Sequence, residues 1–282
     1  MSAAALLPRH HDEFRSKEYW DTFFQQRTDA FEWYGEYQDL RKLVCRTLRR
    51  TDRILIVGCG NSNFSAELYD DGFEEVENVD FSQPVVAEMC RVHAKARPRM
   101  TWRVMDVTDM TGYEDGSFDA VVDKGTLDAL MSEDTADVRE SGQAMLREVA
   151  RVLNPGGRYM CVTLWQDFIG SIFLSSLPLP HASTNTNTNT NTGSGSGGRG
   201  GGVWTLDLHS VAASSKPSPY LPVCVIATKQ SGGIELELEV IGQAQTVGKG
   251  EEGARVKAWC DRTGRPLAPG MEPSVLRGEQ EV

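Results

Sequence analysis

The sequence predicts an α/β fold in which a seven-stranded, mostly parallel sheet carries helices on both faces. Strand-like and helix-like patterns alternate through residues 51–164, as they do in parallel sheets. Two more apolar, strand-like runs follow at residues 203–209 and 221–228, and they would close the sheet as a hairpin. The chain has 282 residues, of which 40% are apolar, and this is enough for one substantial core.

Apolar runs and turn residues predict five strands and three helices within residues 51–164. The strands are expected at 53–57, 76–80, 101–107, 118–123 and 158–164, and the helices at 62–71, 82–96 and 137–152. Ser82 can cap the second helix, Gly72 ends the first, and Asn154-Pro-Gly-Gly157 ends the third. Polar residues that follow these strands should meet at one edge of the sheet, where ligands bind in such folds.

An aromatic-rich segment precedes the sheet and defines a separate N-terminal region, residues 1–50. A helix over 18–26 would place Trp20, Phe23 and Phe24 on one side, and the turn-like cluster Phe31-Glu-Trp-Tyr-Gly35 follows it. These aromatic side chains could form a lid over a ligand, or they could simply pack the helix against the sheet.

The remaining segments have the composition of connections and tails. Residues 183–202, rich in Asn, Thr, Gly and Ser, are predicted to be a flexible insertion in a domain that spans 51–230. Residues 231–282 begin with an alternating pattern at 234–240, typical of an edge strand, and continue without periodicity as a predicted disordered tail.

Composition narrows the possible functions. The net charge is −11, which is unfavourable for a nucleic-acid binder, because such proteins use a basic face to displace counterions from phosphates. No apolar run reaches the ~18–20 residues of a membrane helix, and the first residues do not resemble a signal peptide. The six cysteines are scattered without Cys-x-x-Cys pairs, so we expect reduced, buried thiols, no metal site and a cytoplasmic protein.

The glycine loop after the first strand is the strongest local sign of a ligand. Val57-Gly-Cys-Gly-Asn-Ser62 lies between a strand and a helix, and Asp80 follows 20 residues after Gly60, where an acid can bind ribose hydroxyls. Asn63 stands where dinucleotide-binding loops carry a third glycine, so an adenosine ligand without a pyrophosphate is favoured. The alternative is a tight turn that binds nothing.

Two further strand ends carry polar residues. Asp106 and Val107 could bind the edge of an adenine, although Asp106 could equally be an ordinary solvated acid. After the fourth strand, Asp123, Lys124 and Asp128 are expected near the ligand cleft. Lys124 could instead form a salt bridge, and Asp128 could instead cap or orient the next helix.

Together these segments resemble class I S-adenosylmethionine-dependent methyltransferases, which have a Rossmann-like fold. The resemblance rests on Ile-Leu-Ile-Val-Gly-Cys-Gly-Asn-Ser, Asn-Val-Asp-Phe-Ser, Met-Asp-Val, Phe-Asp-Ala-Val-Val-Asp-Lys-Gly-Thr-Leu-Asp-Ala-Leu and Leu-Asn-Pro-Gly-Gly-Arg-Tyr. The segment from Glu18 to Arg27, with Phe31-Glu-Trp-Tyr-Gly35, is similar to the N-terminal motif of the eukaryotic family that methylates translation elongation factor 1-alpha.

The resemblance implies S-adenosylmethionine as cofactor and a role for each matching residue. Gly58 and Gly60 would form the cofactor loop, Asp80 would hold the ribose, and Phe81 would lie beside the adenine. Asp106 and Val107 would bind the adenine edge and Lys124 would face the cofactor. The aromatic residues Trp20, Phe24 and Trp33 would close over a cofactor whose sulfonium is attracted to aromatic faces.

The function implied is transfer of a methyl group to a lysine side chain of translation elongation factor 1-alpha, whose positive charge would suit this acidic chain. No catalytic base is assigned, and Asp123 and Asp128 are candidates to orient the amine. Only the lysine-directed half of the family's two-domain protein is expected here. A cofactor-binding regulatory module without catalysis, a small-molecule methyltransferase and an aminopropyl transferase remain alternatives.

Overall fold

The computed structural model describes residues 8, 10–27, 29–177, 204–211 and 222–230, and it contains a single seven-stranded sheet. The strands are β1 (Ile54–Val57), β2 (Val76–Asp80), β3 (Thr101–Val104), β4 (Phe118–Lys124), β5 (Leu153–Thr163), β6 (Trp204–Ser210) and β7 (Val223–Lys229). A 3-10 helix at His11–Arg15 precedes α1 (Lys17–Gln26), α2 (Tyr37–Thr47), α3 (Phe64–Asp70), α4 (Gln83–His93), α5 (Thr126–Leu130), α6 (Ala136–Val152) and α7 (Asp167–Ser176).

The strand order is β3-β2-β1-β4-β5-β7-β6. The first five strands run parallel, while β7 pairs antiparallel with both β5 and β6. This confirms the predicted mostly parallel sheet closed by a hairpin. After β1 the chain forms β2 and β3 on one side of it, and then returns to form β4 and β5 on the other side. The strand order therefore reverses between β1 and β4. Their carboxyl ends border the crevice where such folds bind ligands.

Alternate residues of the central strands supply a hydrophobic core to each face of the sheet. On β1, Leu55 and Val57 join the core under α5, α6 and α7, whereas Ile54 and Ile56 join the core under α2 and α3. All four β1 residues are buried, as expected for a central parallel strand. The sheet is therefore fixed on both faces, and only its strand ends are available to form a site.

Three local predictions were wrong. The third strand ends at Val104, because β2 ends at Asp80 and offers no partner to the residues beyond. Asn154-Pro-Gly-Gly157 does not separate α6 from a strand. It belongs to β5, which pairs with β4 at Leu153, passes an irregularity and resumes at Arg158. Ser82 does occupy the N-cap of α4, but its hydroxyl does not cap the helix.

Other predictions concern cysteines, metals, membranes and tails. Among the described cysteines, Cys59, Cys161 and Cys224 are buried free thiols, as predicted. Cys45 and Cys90 are exposed, so the prediction of buried thiols was wrong for these two. Within the described ranges, no group of side chains has the composition of a metal site, and no helix could cross a membrane. The insertion at 183–202 and the predicted strand and tail within 231–282 lie outside the described residues.

Candidate functional site

A cavity of about 820 Å³ opens at the carboxyl ends of the parallel strands. It is lined by the glycine loop after β1, by the residues that follow β2, β3 and β4, and by the aromatic N-terminal segment. The structure therefore brings together nearly all of the predicted site residues: Trp20, Phe24, Trp33, Gly58, Gly60, Asp80, Phe81, Asp106, Val107, Lys124 and Asp128. Asp123 is the exception, and it does not line this cavity.

The glycine loop has a backbone that ordinary residues adopt only with strain. Gly58 and Gly60 have φ angles of +59° and +50°. A Cβ atom on Gly58 would lie 2.1 Å from the Oγ1 atom of Thr126, whose hydroxyl donates to the Val57 carbonyl. A Cβ on Gly60 would lie 3.3 Å from the ring of Phe24, so that ring lies directly over the loop. Side chains of the protein itself, Thr126 and Phe24, therefore occupy the space beside the two glycines and require residues without a Cβ atom there.

Asp80 is a buried carboxylate at the end of β2. Its two oxygens accept hydrogen bonds from the backbone N–H groups of Gly60 and Ser82, each at 2.9 Å. Burial raises the pKa of Asp80 to about 6, although these two hydrogen bonds lower it. A carboxylate has about four acceptor positions, so two remain for ribose hydroxyls. The Gly60 N–H already donates to Asp80 and is not free to bind a phosphate oxygen. The loop therefore suits an adenosine better than a pyrophosphate.

The aromatic segment covers this end of the cavity. Trp20 and Phe24 stack with ring centroids 5.5 Å apart, and the Trp20 indole N–H donates to the Phe14 carbonyl at 2.7 Å. Trp33 meets the Phe31 ring edge to face at 4.9 Å. These rings both line the cavity and pack on one another, so the packing interpretation is confirmed and closure over a ligand stays a prediction. Such faces are suited to a sulfonium cation.

Asp106 and Val107 line the cavity from a turn after β3, not from the strand itself. One oxygen of Asp106 accepts from both the backbone N–H and the hydroxyl of Thr108, at 2.8 and 2.7 Å. This side-chain turn holds Asp106 in place, and Val107 is buried beside it. Their position, next to the ends of β2 and β3, is consistent with binding an adenine edge.

Lys124 lines the cavity and forms a salt bridge, which was one of the two interpretations of this residue. Its ammonium donates to the Glu32 carboxylate and to the Trp33 carbonyl, both at 2.9 Å. Glu32 in turn accepts from the Ser62 hydroxyl at 2.6 Å and from the Asn63 N–H at 2.7 Å. Sequence reasoning missed Glu32, whose only local signal is a lone acid within an aromatic cluster. This network ties the N-terminal segment to the glycine loop and to β4.

The two carboxylates proposed to orient an amine have different roles. Asp123 is fully buried and accepts hydrogen bonds from the N–H groups of Thr126 and Leu127 and from the Tyr159 phenol. It therefore caps α5, and the prediction that it lies in the cleft was wrong. Asp128 lines the cavity, and burial raises its pKa. Asp128 lies within α5 and accepts from Thr163 and Leu164 at the end of β5, so the alternative that it caps the next helix, α6, was wrong.

Comparisons with known proteins agree with this geometry. The family described as a methyltransferase domain matches residues 55–161. The eEF1A lysine and N-terminal methyltransferase of Danio rerio is 46% identical over 166 residues, which are 58% of this chain and 24% of that protein. The EEF1A lysine methyltransferase 4 of Bos taurus is 41% identical over 165 residues, 56% of this chain and 64% of that protein. The chain thus spans about a quarter of the length of the first of these relatives.

The fold also matches a solved structure. The crystal structure of the Burkholderia thailandensis 1,6-didemethyltoxoflavin-N1-methyltransferase, with S-adenosylhomocysteine bound, aligns with a TM-score of 0.53 at 15% identity. The alignment covers 82% of this chain and 92% of that one, and at this identity it speaks for the fold alone. Residues 55–161 match the methyltransferase-domain family, and the fold is that of class I S-adenosylmethionine-dependent methyltransferases. The chain is similar to the eEF1A lysine methyltransferases.

Proposed function

We propose that this chain transfers a methyl group from S-adenosylmethionine to a lysine side chain of translation elongation factor 1-alpha. The observation that carries the proposal is the 41–46% identity to relatives named for that activity. A cavity whose glycine loop and ribose acid suit the cofactor supports it. The net charge of −11 suits a basic protein substrate. We expect the reaction to take place in the cytoplasm.

The cofactor, when bound, supplies a methyl group on a sulfonium that is already a good leaving group. The chain's own residues then mainly bind, orient and exclude water. Gly58 and Gly60 admit the ligand, Asp80 accepts from its ribose, and Asp106 and Val107 flank its adenine. Trp20, Phe24 and Trp33 cover it from the N-terminal side.

The acceptor must be a neutral amine, since a lysine with its ordinary pKa of ~10.4 has no free lone pair at neutral pH. When bound, the cofactor would supply its methyl group to this nitrogen and leave as S-adenosylhomocysteine, and the methylated nitrogen would release one proton to solvent. Asp128 can orient the amine by accepting an N–H. A retained carboxylate raises the pKa of a neighbouring amine, so Asp128 is not assigned as the base.

A radiolabel assay tests the proposal. Purified chain is incubated with elongation factor 1-alpha and tritiated S-adenosylmethionine, and the labelled residue is identified by mass spectrometry. Label on a lysine of the factor is the expected result. The assay is repeated with a cell lysate as a wider pool of substrates. If the chain binds the cofactor but labels no protein in either assay, a regulatory module is favoured. If the label appears on a small molecule, the small-molecule methyltransferase is favoured. An aminopropyl adduct would be distinguished by its mass.

A further inference from the structure

The cavity extends well beyond the part that the predicted cofactor residues occupy. Asp80 and Asp106 mark the adenosine end, at the carboxyl ends of β2 and β3. Asp128 lies at the other end, where it accepts hydrogen bonds from the Thr163 hydroxyl and the Leu164 N–H that end β5. In the strand order, β2 and β5 are separated by β1 and β4. Three strand spacings amount to about 14 Å, so the two carboxylates serve different compartments.

Asp128 is a carboxylate that no neighbouring cation neutralises at its end of the cavity. Among the described residues it has no cationic partner, whereas Lys124 is paired with Glu32 and Arg15 with Asp137. Its two hydrogen-bond donors are neutral: the Thr163 hydroxyl at 2.7 Å and the Leu164 N–H at 3.1 Å. The phenol of Tyr34, also neutral, lies close enough to lower the pKa of Asp128. A carboxylate offers about four acceptor positions, so acceptor capacity remains on a group that lines the cavity.

Tyr34 is held against Asp128 by a backbone that few residues other than glycine adopt. Its φ angle is +61°, and the neighbouring Gly35 has a φ angle of +112°. Gly125, at the start of α5, makes room for the ring, since a Cβ atom there would lie 3.0 Å from Cε2 of Tyr34. Such strained residues persist where the surrounding structure requires them and are frequent at functional sites. This backbone places Tyr34 in the lining of the cavity together with Asp128, which has no cationic partner among the described residues.

We infer that Asp128 and Tyr34 form the acceptor subsite, in which Asp128 binds an N–H of the substrate's lysine amine and Tyr34 is a positioning residue that fixes the carboxylate. The inference rests on the proposed function for the identity of its ligand. It assigns a cation site to the end of the cavity opposite the ribose acid. The aromatic ring of Phe14, which also lines the cavity, suits the alkyl stem and the charge of such a side chain.

A small probe tests the subsite without requiring catalysis. n-Butylammonium, which has the length and charge of a lysine side chain, is titrated into the full chain saturated with S-adenosylhomocysteine, and binding is followed by ligand-observed NMR. n-Butanol is the neutral control. We expect saturable binding of the cation alone, weakened about tenfold or more by Asp128→Asn, because a charge-assisted hydrogen bond is lost. Tyr34→Phe should weaken it severalfold.

A matched variant separates the subsite from a general loss of a tyrosine hydroxyl. Tyr37 donates to Asp71 at 2.6 Å, outside the cavity, so Tyr37→Phe removes the same kind of phenol–carboxylate bond elsewhere. Tyr37→Phe should leave butylammonium binding unchanged. If Tyr34→Phe and Tyr37→Phe behave alike, Tyr34 does not position the acceptor. Thermal unfolding of each variant identifies any variant that fails to fold. If Asp128→Asn does not fold, Tyr34→Phe still tests the inference, because it removes only one oxygen atom.

Cofactor affinities distinguish a substrate cation from the sulfonium. In Asp128→Asn, the dissociation constants for S-adenosylmethionine and S-adenosylhomocysteine should both stay within about twofold of the wild type. A loss for S-adenosylmethionine alone would place Asp128 against the sulfonium, and a loss for both would place it in the cofactor compartment. Either result overturns the inference.

Transfer assays separate this inference from the proposed function. If the wild type transfers methyl to lysine, Tyr34→Phe should raise KM for the protein substrate more than it lowers kcat. If the wild type labels no lysine but binds butylammonium through Asp128, the proposed function fails and the cation subsite stands. If it labels lysine and no variant changes either KM or butylammonium binding, the subsite inference fails and the proposed function stands.

Discussion

The contact between Lys124 and Glu32 should hold the N-terminal segment onto the sheet, and Lys124→Met tests this. The substitution keeps an apolar stem but removes the ammonium, and with it the hydrogen bonds to Glu32 and to the Trp33 carbonyl. Only 8% of the Lys124 side chain and 18% of the Glu32 side chain are exposed, so solvent screens this pair weakly. The loss should therefore be far larger than for a surface ion pair.

The magnitude follows from the contacts that are lost. Hydrogen bonds to charged groups contribute ~1.5–3 kcal/mol each, and removing one partner of a buried ion pair costs ~3–5 kcal/mol. Glu32 keeps its bonds from Ser62 and Asn63, which reduces the penalty, so we expect a loss of ~3 kcal/mol in the free energy of unfolding. For a domain of this size each kcal/mol corresponds to ~2–4 °C, which predicts a Tm lower by ~6–12 °C.

Thermal and urea unfolding of a double-mutant cycle measure the effect. Lys124→Met, Glu32→Gln and the double variant should show a coupling energy of ~1–3 kcal/mol, because the second change removes a partner that the first has already lost. Lys17→Met is the matched control, since its pair with Asp21 is more exposed, at 46% and 25%, and should contribute at most ~1 kcal/mol. Additive effects within ~0.5 kcal/mol, or a Lys124→Met loss no greater than that of Lys17→Met, would refute the reasoning.

Three further predictions concern the cofactor end of the cavity. Asp80→Asn should weaken S-adenosylhomocysteine binding at least ~tenfold by calorimetry, because a charged acceptor is lost. Wild-type affinity should itself fall as the pH drops below about 6, where the buried Asp80 carboxyl takes up a proton, while the affinity of the variant stays flat; parallel profiles would contradict this. Gly58→Ala should lower stability by ~1–3 kcal/mol and reduce cofactor affinity, since its Cβ would meet Thr126 at a φ of +59°. Trp33→Ala should reduce cofactor affinity and methyl transfer more than Trp102→Ala, because Trp102 lies on β3 outside the cavity; the reverse order would show that the lid rings only pack.

Much of the fold could be predicted because β1 is a short apolar run, and because strand-like and helix-like segments alternate after it between turn residues. β2 was placed at its observed residues, and the loop with Gly58 and Gly60 was placed between a strand and a helix. The errors occur where a partner strand decides the outcome. Residues beyond Val104 are not a strand because β2 has ended, and Asn154-Pro-Gly-Gly157 remains in β5 because β4 pairs with Leu153.

The site was harder to predict where contacts join distant parts of the chain. An acid at a strand end can face a ligand or cap the next helix, and the sequence does not distinguish Asp80 from Asp123 in this respect. The structure does, because the N–H groups of Thr126 and Leu127 point at Asp123. Glu32 acquires its role only when the N-terminal segment meets Lys124, 92 residues later in the chain.

The N-terminal segment is the element that joins the two ends of the cavity. Phe24 lies over the glycine loop at the cofactor end, and Tyr34, ten residues later, lies against Asp128 at the acceptor end. Glu32 lies between them in sequence and fixes the segment to Lys124. Loosening this contact should therefore weaken both cofactor binding and butylammonium binding, whereas Asp80→Asn should act on the first and Tyr34→Phe on the second. A Lys124→Met variant that changed only one of the two would show that the segment is not held as a single unit.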